Sequence, residues 1–107
     1  MKQITPQQLH ERLSDAAAAK PLLLDVREPW EFQICQLPGS LPMPMRTIPA
    51  RHTELDRDAE TVVICHHGAR SMQAATFLEH AGFTRLYNLT GGLDAWARTF
   101  DASMPVY

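Results

Sequence analysis

Short apolar runs recur along the chain and are separated by stretches with helical spacing. The apolar run at residues 22–24 ends at Asp25, and the run at residues 61–64 is β-branched throughout. Both are typical of strands that are buried on two faces. Residues 85–87 predict a further short strand. The pattern therefore predicts several short, buried strands.

Helices are predicted between these runs. Thr5 and Pro6 resemble an N-cap and first-turn pair, and the helix they begin should pass through Leu9 and continue along the alanines 16–19 as far as Pro21. Further helical segments are predicted at residues 29–32, 48–55 (a loop with a short helix), 71–80 and 93–97. Strands that alternate with helices at this spacing predict an α/β fold with a parallel sheet covered on both faces.

Aromatic residues on these helices are expected to pack in the core or against other helices. Trp30, Trp96 and Phe77 are the large rings concerned. The apolar face around Phe77 is interpreted as core and gives no reason to expect a cofactor.

Composition narrows the class of protein. The 107 residues, 45% of them apolar and 21% charged, predict one domain covering residues 1–107. A net charge of −2 argues against binding nucleic acid or an anionic membrane, and no apolar run approaches the roughly 20 residues of a membrane helix. We expect a cytoplasmic protein, because the N-terminus has no signal-peptide pattern and two cysteines are too few for a disulfide framework.

The chemistry is concentrated where the best-predicted strand ends. Cys65 follows that strand directly and begins a loop that leads into a helix, so its thiol should lie at the carboxyl edge of the sheet. Backbone N–H groups of such a loop can surround an anion, Gly68 permits a left-handed backbone, and Arg70 adds a fixed positive charge. This environment favours a thiolate nucleophile. The predicted site comprises Cys65 as the catalytic residue and a substrate-binding or persulfide-binding loop of His66, His67, Gly68, Ala69, Arg70 and Ser71.

Other polar residues receive structural interpretations. Arg27 and Glu31 are four residues apart and are expected to form an ion pair, while Asp25 and Arg27 could support the site. Cys35 follows a short helix that should carry the chain toward the opposite end of the sheet, so we expect a structural thiol there. No metal site is expected, because the histidines beside Cys65 lack a second ligand pair at zinc-site spacing.

Four motifs together resemble one family. DVREPWEF at residues 25–32, LPGS at 37–40, CHHGARS at 65–71 and GGLDAW at 91–96 are similar, in this order, to the conserved segments of rhodanese domains. The resemblance implies a three-layer fold with a central five-stranded parallel sheet. It also implies a sulfurtransferase that moves sulfane sulfur from a donor such as thiosulfate to cyanide or a thiol, with a thiol carrier protein as a further acceptor.

Departures and alternatives follow from the same resemblance. Cys35-Gln36 replaces the usual Gly-His, and His66 replaces a frequent arginine. Two other functions stay open: a non-catalytic rhodanese-type binding module, and a phosphatase or arsenate reductase that uses the same anion cradle. The six-residue loop from Cys65 to Arg70 disfavours the phosphatase, because the related cell-cycle phosphatases have one residue more.

Overall fold

Short strands and helices alternate along the chain, and a computed structural model describes residues 1–105. The strands are Lys2–Ile4 (β1), Leu22–Asp25 (β2), Leu41–Pro42 (β3), Thr61–Ile64 (β4) and Leu86–Leu89 (β5). The α-helices are Pro6–Ser14 (α1), Pro29–Ile34 (α2), Ile48–Arg51 (α3), Ala69–His80 (α4) and Gly92–Phe100 (α5). Turns of 3₁₀ helix at Met45–Thr47 and His52–Glu54 flank α3. None of the helices within residues 1–105 is both long and apolar enough to cross a bilayer.

All five strands are parallel and form one sheet in the order β1-β5-β4-β2-β3. β4 lies in the centre, with Val63 opposite Leu24 of β2 and opposite Asn88 of β5. Because the strands are parallel, the carboxyl ends of β2, β4 and β5 meet at one edge, where ligand sites form in open α/β sheets. The predicted α/β fold with a five-stranded parallel sheet is confirmed.

Successive residues of the central strand point to opposite faces, so each face has its own apolar core. Val63 belongs to the core beneath α4, and Val62 belongs to the core beneath α1 and α5. Leu78 of α4 is fully buried on the first face, as Leu9 of α1 is on the second. Helices therefore cover both faces, and the three-layer arrangement is confirmed.

The first helix is shorter than its sequence pattern predicts. Thr5 caps α1 through a reciprocal capping box with Gln8, as expected of an N-cap, but the helix ends at Ser14. Asp15 leaves the helical conformation, with φ −82° and ψ 106°, and its Oδ1 accepts the N–H of Ala17 at 2.9 Å. This local turn satisfies the backbone outside a helix, so the alanines do not extend α1. At the other boundaries, α4 begins at Ala69, two residues earlier than predicted, and α5 extends to Phe100.

Trp30 and Phe77 do not lie in the core, one of the two positions expected for Trp30 and the position expected for Phe77. Trp96 is buried as expected, but Trp30 is 58% exposed and Phe77 is 39% exposed. On α4 the buried side is centred between Ala74 and Ala75, and at about 100° per residue Phe77 lies well to one side of it. Its ring packs edge-on against the half-buried His52 instead.

Candidate active site

A tight loop carries Cys65 from the end of β4 into α4. Residues 65–68 turn the chain, and Gly68 has φ +105°, the left-handed conformation expected of a glycine here. A Cβ at Gly68 would also lie 3.3 Å from the amide nitrogen of Gly91. Cys65 therefore lies at the carboxyl edge of the sheet, as predicted, beside the N-terminus of α4.

The sulfur of Cys65 faces two hydrogen-bonding groups. The N–H of Gly68 donates to Sγ at 3.0 Å, and the hydroxyl oxygen of Ser71 lies 3.3 Å from Sγ. Cys65 is only 1% exposed. The Gly68 N–H and the adjacent helix start favour negative charge on sulfur, so the arrangement can stabilise a thiolate.

Ser71 connects the cysteine to the neighbouring strand. Its hydroxyl lies within hydrogen-bonding distance of Oδ1 of Asn88 and 3.0 Å from the carbonyl oxygen of Gly68. The Nδ2 of Asn88 donates to Oε1 of Gln3 at 2.9 Å, which extends the network to β1. Sequence reasoning missed Asn88, although a polar residue in the otherwise apolar run of β5 was an available signal.

The N-terminus of α5 holds the loop in place. The N–H of Leu93 donates to the carbonyl of Cys65 at 2.9 Å, and the N–H of Asp94 donates to the carbonyl of His66 at 3.0 Å. Gly92 makes this approach possible, because a Cβ there would lie 2.4 Å from each of these two carbonyl oxygens. The diglycine that precedes α5 is therefore required by contact with the cysteine loop.

Arg70 is held by a carboxylate from another helix. Its Nη1 and Nη2 donate to the two oxygens of Glu31 at 2.5 and 2.7 Å. The expected pair between Arg27 and Glu31 is wrong, because both carboxylate oxygens of Glu31 accept from Arg70, and Arg27 donates to the backbone carbonyl of Glu31 at 3.2 Å. The sequence predicted that Arg70 would bind an anionic substrate. In the structure its guanidinium forms an ion pair with Glu31.

Asp25 and Arg27 form a buried ion pair below the loop. Nε and Nη2 of Arg27 donate to Oδ1 and Oδ2 of Asp25 at 2.9 and 2.8 Å, and both residues are 1% exposed. Arg27 also donates to the carbonyl of Cys35. With these bonds it fixes the chain at the end of α2 against the end of β2, which favours a structural role.

Cys35 lies close to the cysteine loop, and the prediction that it lies at the opposite end of the sheet is wrong. It lines a narrow crevice together with His66 and Asp94. The six-residue α2 is only about 9 Å long, too short to carry the chain across the sheet. Cys35 packs with the α1 and α5 core, whereas Cys65 packs with the α4 core, and both thiols are free.

The two loop histidines differ in exposure. Their rings lie 4.1 Å apart between centroids, with His66 half-buried and the His67 side chain 68% exposed. Burial lowers the pKa of His66 below its usual value, and the neighbouring His67 lowers it further, against a smaller opposing effect of Asp94. His66 is therefore neutral at pH 7.

Comparison with known proteins agrees with this geometry. The model of the rhodanese-like domain matches residues 5–99. A sulfurtransferase of Allochromatium vinosum is 40% identical over 98 residues, which cover 92% of this chain and 90% of the relative. Thiosulfate sulfurtransferase GlpE of Ectopseudomonas mendocina is 35% identical and covers 92% of this chain and 87% of its own length. The crystal structure of a rhodanese-related protein from Thermoplasma volcanium has a TM-score of 0.82 at 29% identity, covering 100% of this chain and 98% of that one.

A relative of larger size shares the same domain. Rhodanese-like/PpiC domain-containing protein 12 of the Arabidopsis thaliana chloroplast is 38% identical over 112 residues, and this chain spans 38% of its length. The relatives of similar length, which are named as sulfurtransferases, support a rhodanese-type sulfurtransferase. By fold, by motif order and by a family match over nearly the whole chain, the protein belongs to the rhodanese-like domain family.

Proposed function

We propose that this protein is a sulfurtransferase that carries sulfane sulfur as a persulfide on Cys65. The observation that carries the proposal is the position of Cys65 Sγ at the start of α4, where the N–H of Gly68 donates to it and the hydroxyl of Ser71 faces it. The relatives named as sulfurtransferases support the same chemistry.

The reaction divides into two balanced half-reactions. The Cys65 thiolate attacks the terminal sulfur of thiosulfate, the S–S bond of the donor breaks, and sulfite leaves with the bonding electron pair. Cyanide then attacks the outer sulfur of the persulfide, which forms thiocyanate and returns the thiolate. A thiol acceptor, free or on a carrier protein, would take the outer sulfur in the same way and become a persulfide itself.

The burial of Cys65 favours a small donor. With 1% of the residue exposed, a terminal sulfane sulfur reaches Sγ more easily than the central bond of a bulky disulfide. The loop offers Cys65 Sγ one N–H, that of Gly68, whereas a phosphoryl group would bring three further oxygens that each need donors. We therefore favour sulfur transfer over phosphate chemistry. We further propose that the enzyme is cytoplasmic and needs no cofactor.

The test compares Cys65→Ser with Cys35→Ser as the matched control. We expect Cys65→Ser to lose thiosulfate:cyanide transfer and to keep its circular dichroism spectrum, because serine is nearly isosteric. Cys35→Ser should keep both. After thiosulfate treatment, mass spectrometry should find one added sulfur, on Cys65.

Other outcomes identify the alternatives. A persulfide mapped to Cys35 would contradict the assignment of the nucleophile. Hydrolysis of an aryl phosphate without sulfur transfer would indicate the phosphatase, and the absence of both activities and of any persulfide would indicate a binding module.

A further inference from the structure

Three metal-ligating side chains meet where the cysteine loop touches α5. They belong to His66, His67 and Asp94, and one ligating atom from each lies within 4.8 Å of the other two. Consecutive residues of an extended chain point in opposite directions, but here the backbone turns and the two imidazoles meet edge to face, 4.1 Å apart between ring centroids. Spacing along the sequence did not indicate Asp94 as a third candidate ligand, because Asp94 lies in α5, beyond α4 and β5.

Backbone hydrogen bonds hold the first turn of α5 against the cysteine loop. The N–H of Asp94 donates to the carbonyl of His66 at 3.0 Å, and the neighbouring bond from Leu93 to Cys65 is 2.9 Å. The backbones that carry the three side chains are therefore positioned when the domain folds, and binding would order only the side chains.

We propose that His66, His67 and Asp94 form a binding site for a divalent transition-metal ion, with zinc as the best match. Two imidazole nitrogens and one carboxylate oxygen are ligands that Zn²⁺ accepts, whereas Mg²⁺ and Ca²⁺ prefer oxygen alone. Three protein ligands leave a fourth position for water or an anion.

The distances require only a small rearrangement. Ligand atoms about 2.0–2.1 Å from a tetrahedral zinc ion lie about 3.3 Å from one another, and His67 Nε2 lies 3.7 Å from Asp94 Oδ2. His67 has room to rotate because its side chain is 68% exposed.

Arg98 is the competing cation. Its Nε lies 3.2 Å from Oδ2 of Asp94, one helical turn away, and its side chain is 71% exposed. Exposed pairs of this kind are weak, so a divalent ion can displace the guanidinium. Removing Arg98 should therefore leave metal binding unchanged or make it tighter.

The experiment measures metal binding directly, in the full chain with Cys35→Ser and Cys65→Ser so that thiolates cannot ligate. We expect Co²⁺ to give visible absorption of a nitrogen and oxygen site, and calorimetry to give one Zn²⁺ per chain. His67→Ala and Asp94→Asn should each weaken Zn²⁺ binding at least tenfold. Arg98→Ala should bind at least as tightly as the parent, and His80→Ala, at an exposed position at the end of α4, should bind like the parent.

Two results would overturn the proposal. The first is no Co²⁺ or Zn²⁺ binding by the folded parent. The second is equal affinity of His67→Ala and His80→Ala, which would show that the metal uses other ligands. Circular dichroism confirms folding of each variant, and because no step uses the cysteines, failure of sulfur transfer would leave this result unaffected.

Discussion

Arg70 and Glu31 join α4 to α2 through two charge-assisted hydrogen bonds, 2.5 and 2.7 Å long. Glu31 is 3% exposed, whereas the Arg70 side chain is 35% exposed. The arginine therefore compensates a carboxylate that is almost fully withdrawn from water, and it does so in the first turn of the helix that begins at the cysteine loop.

Arg70→Ala should lower the free energy of unfolding by about 2 kcal/mol, because it leaves the Glu31 carboxylate buried without its bidentate partner. Adding Glu31→Gln should recover part of that loss, since the neutral amide costs less to bury. Urea unfolding of both single variants and the double variant measures the coupling. Strictly additive losses would show that the two side chains do not stabilise each other.

Gly92→Ala should disrupt the cysteine loop. Its Cβ would lie 2.4 Å from the carbonyl oxygens of Cys65 and His66, so the loop or α5 must shift. Gly39→Ala is the matched control, because Gly39 also has positive φ but its Cβ would meet nothing within 4 Å. We expect Gly39→Ala to cost about 1 kcal/mol and to keep sulfur transfer, and Gly92→Ala to cost more and to lower transfer about 100-fold. Equal effects in thermal unfolding and steady-state kinetics would contradict this.

Ser71→Ala should slow sulfur transfer at least tenfold, because it removes the only side-chain hydroxyl that contacts Cys65 Sγ among the described residues. It should also cost about 1–2 kcal/mol of stability, since Asn88 Oδ1 loses a buried donor. Ser40→Ala is the control, because Ser40 makes the same type of bond to a carbonyl three residues earlier, at 2.7 Å, in a different loop. Kinetics in which both variants lose activity alike would exclude a specific effect on Cys65.

His66 should make stability depend on pH. Burial lowers its pKa in the folded protein below the value of about 6.5 in the unfolded chain, so the unfolded chain takes up a proton first as the pH falls. The His66 contribution is therefore complete above pH 6.5 and is lost as the pH falls from there through the native pKa. His66→Gln should show a smaller decrease in unfolding free energy between pH 8 and pH 5.5. Parallel decreases in both proteins would refute this.

Local sequence was sufficient for the position of Cys65. A β-branched run followed by Cys65 and Gly68 specifies a strand, a turn with a left-handed residue and a helix start, and these features depend on a few adjacent residues. The two core faces followed from the apolar runs for the same reason. Where a local turn or the exact angle of a residue around its helix overrode the apolar pattern, as at the alanines after α1 and at Phe77, the prediction was wrong.

The partners of the site residues were decided only by the tertiary structure. Glu31 meets Arg70, Cys35 lies in a crevice with His66, and Asp94 joins the two histidines because β2, β4 and β5 are neighbours in the sheet and end at one edge. That proximity depends on strand order, register and helix length together, over separations of 27 to 39 residues along the chain. Hydrophobic periodicity indicates which face of a helix or strand is buried. It does not indicate which side chains from distant segments will contact that helix or strand. The sequence alone therefore predicts the chemistry of Cys65, and the folded chain determines the groups that surround it.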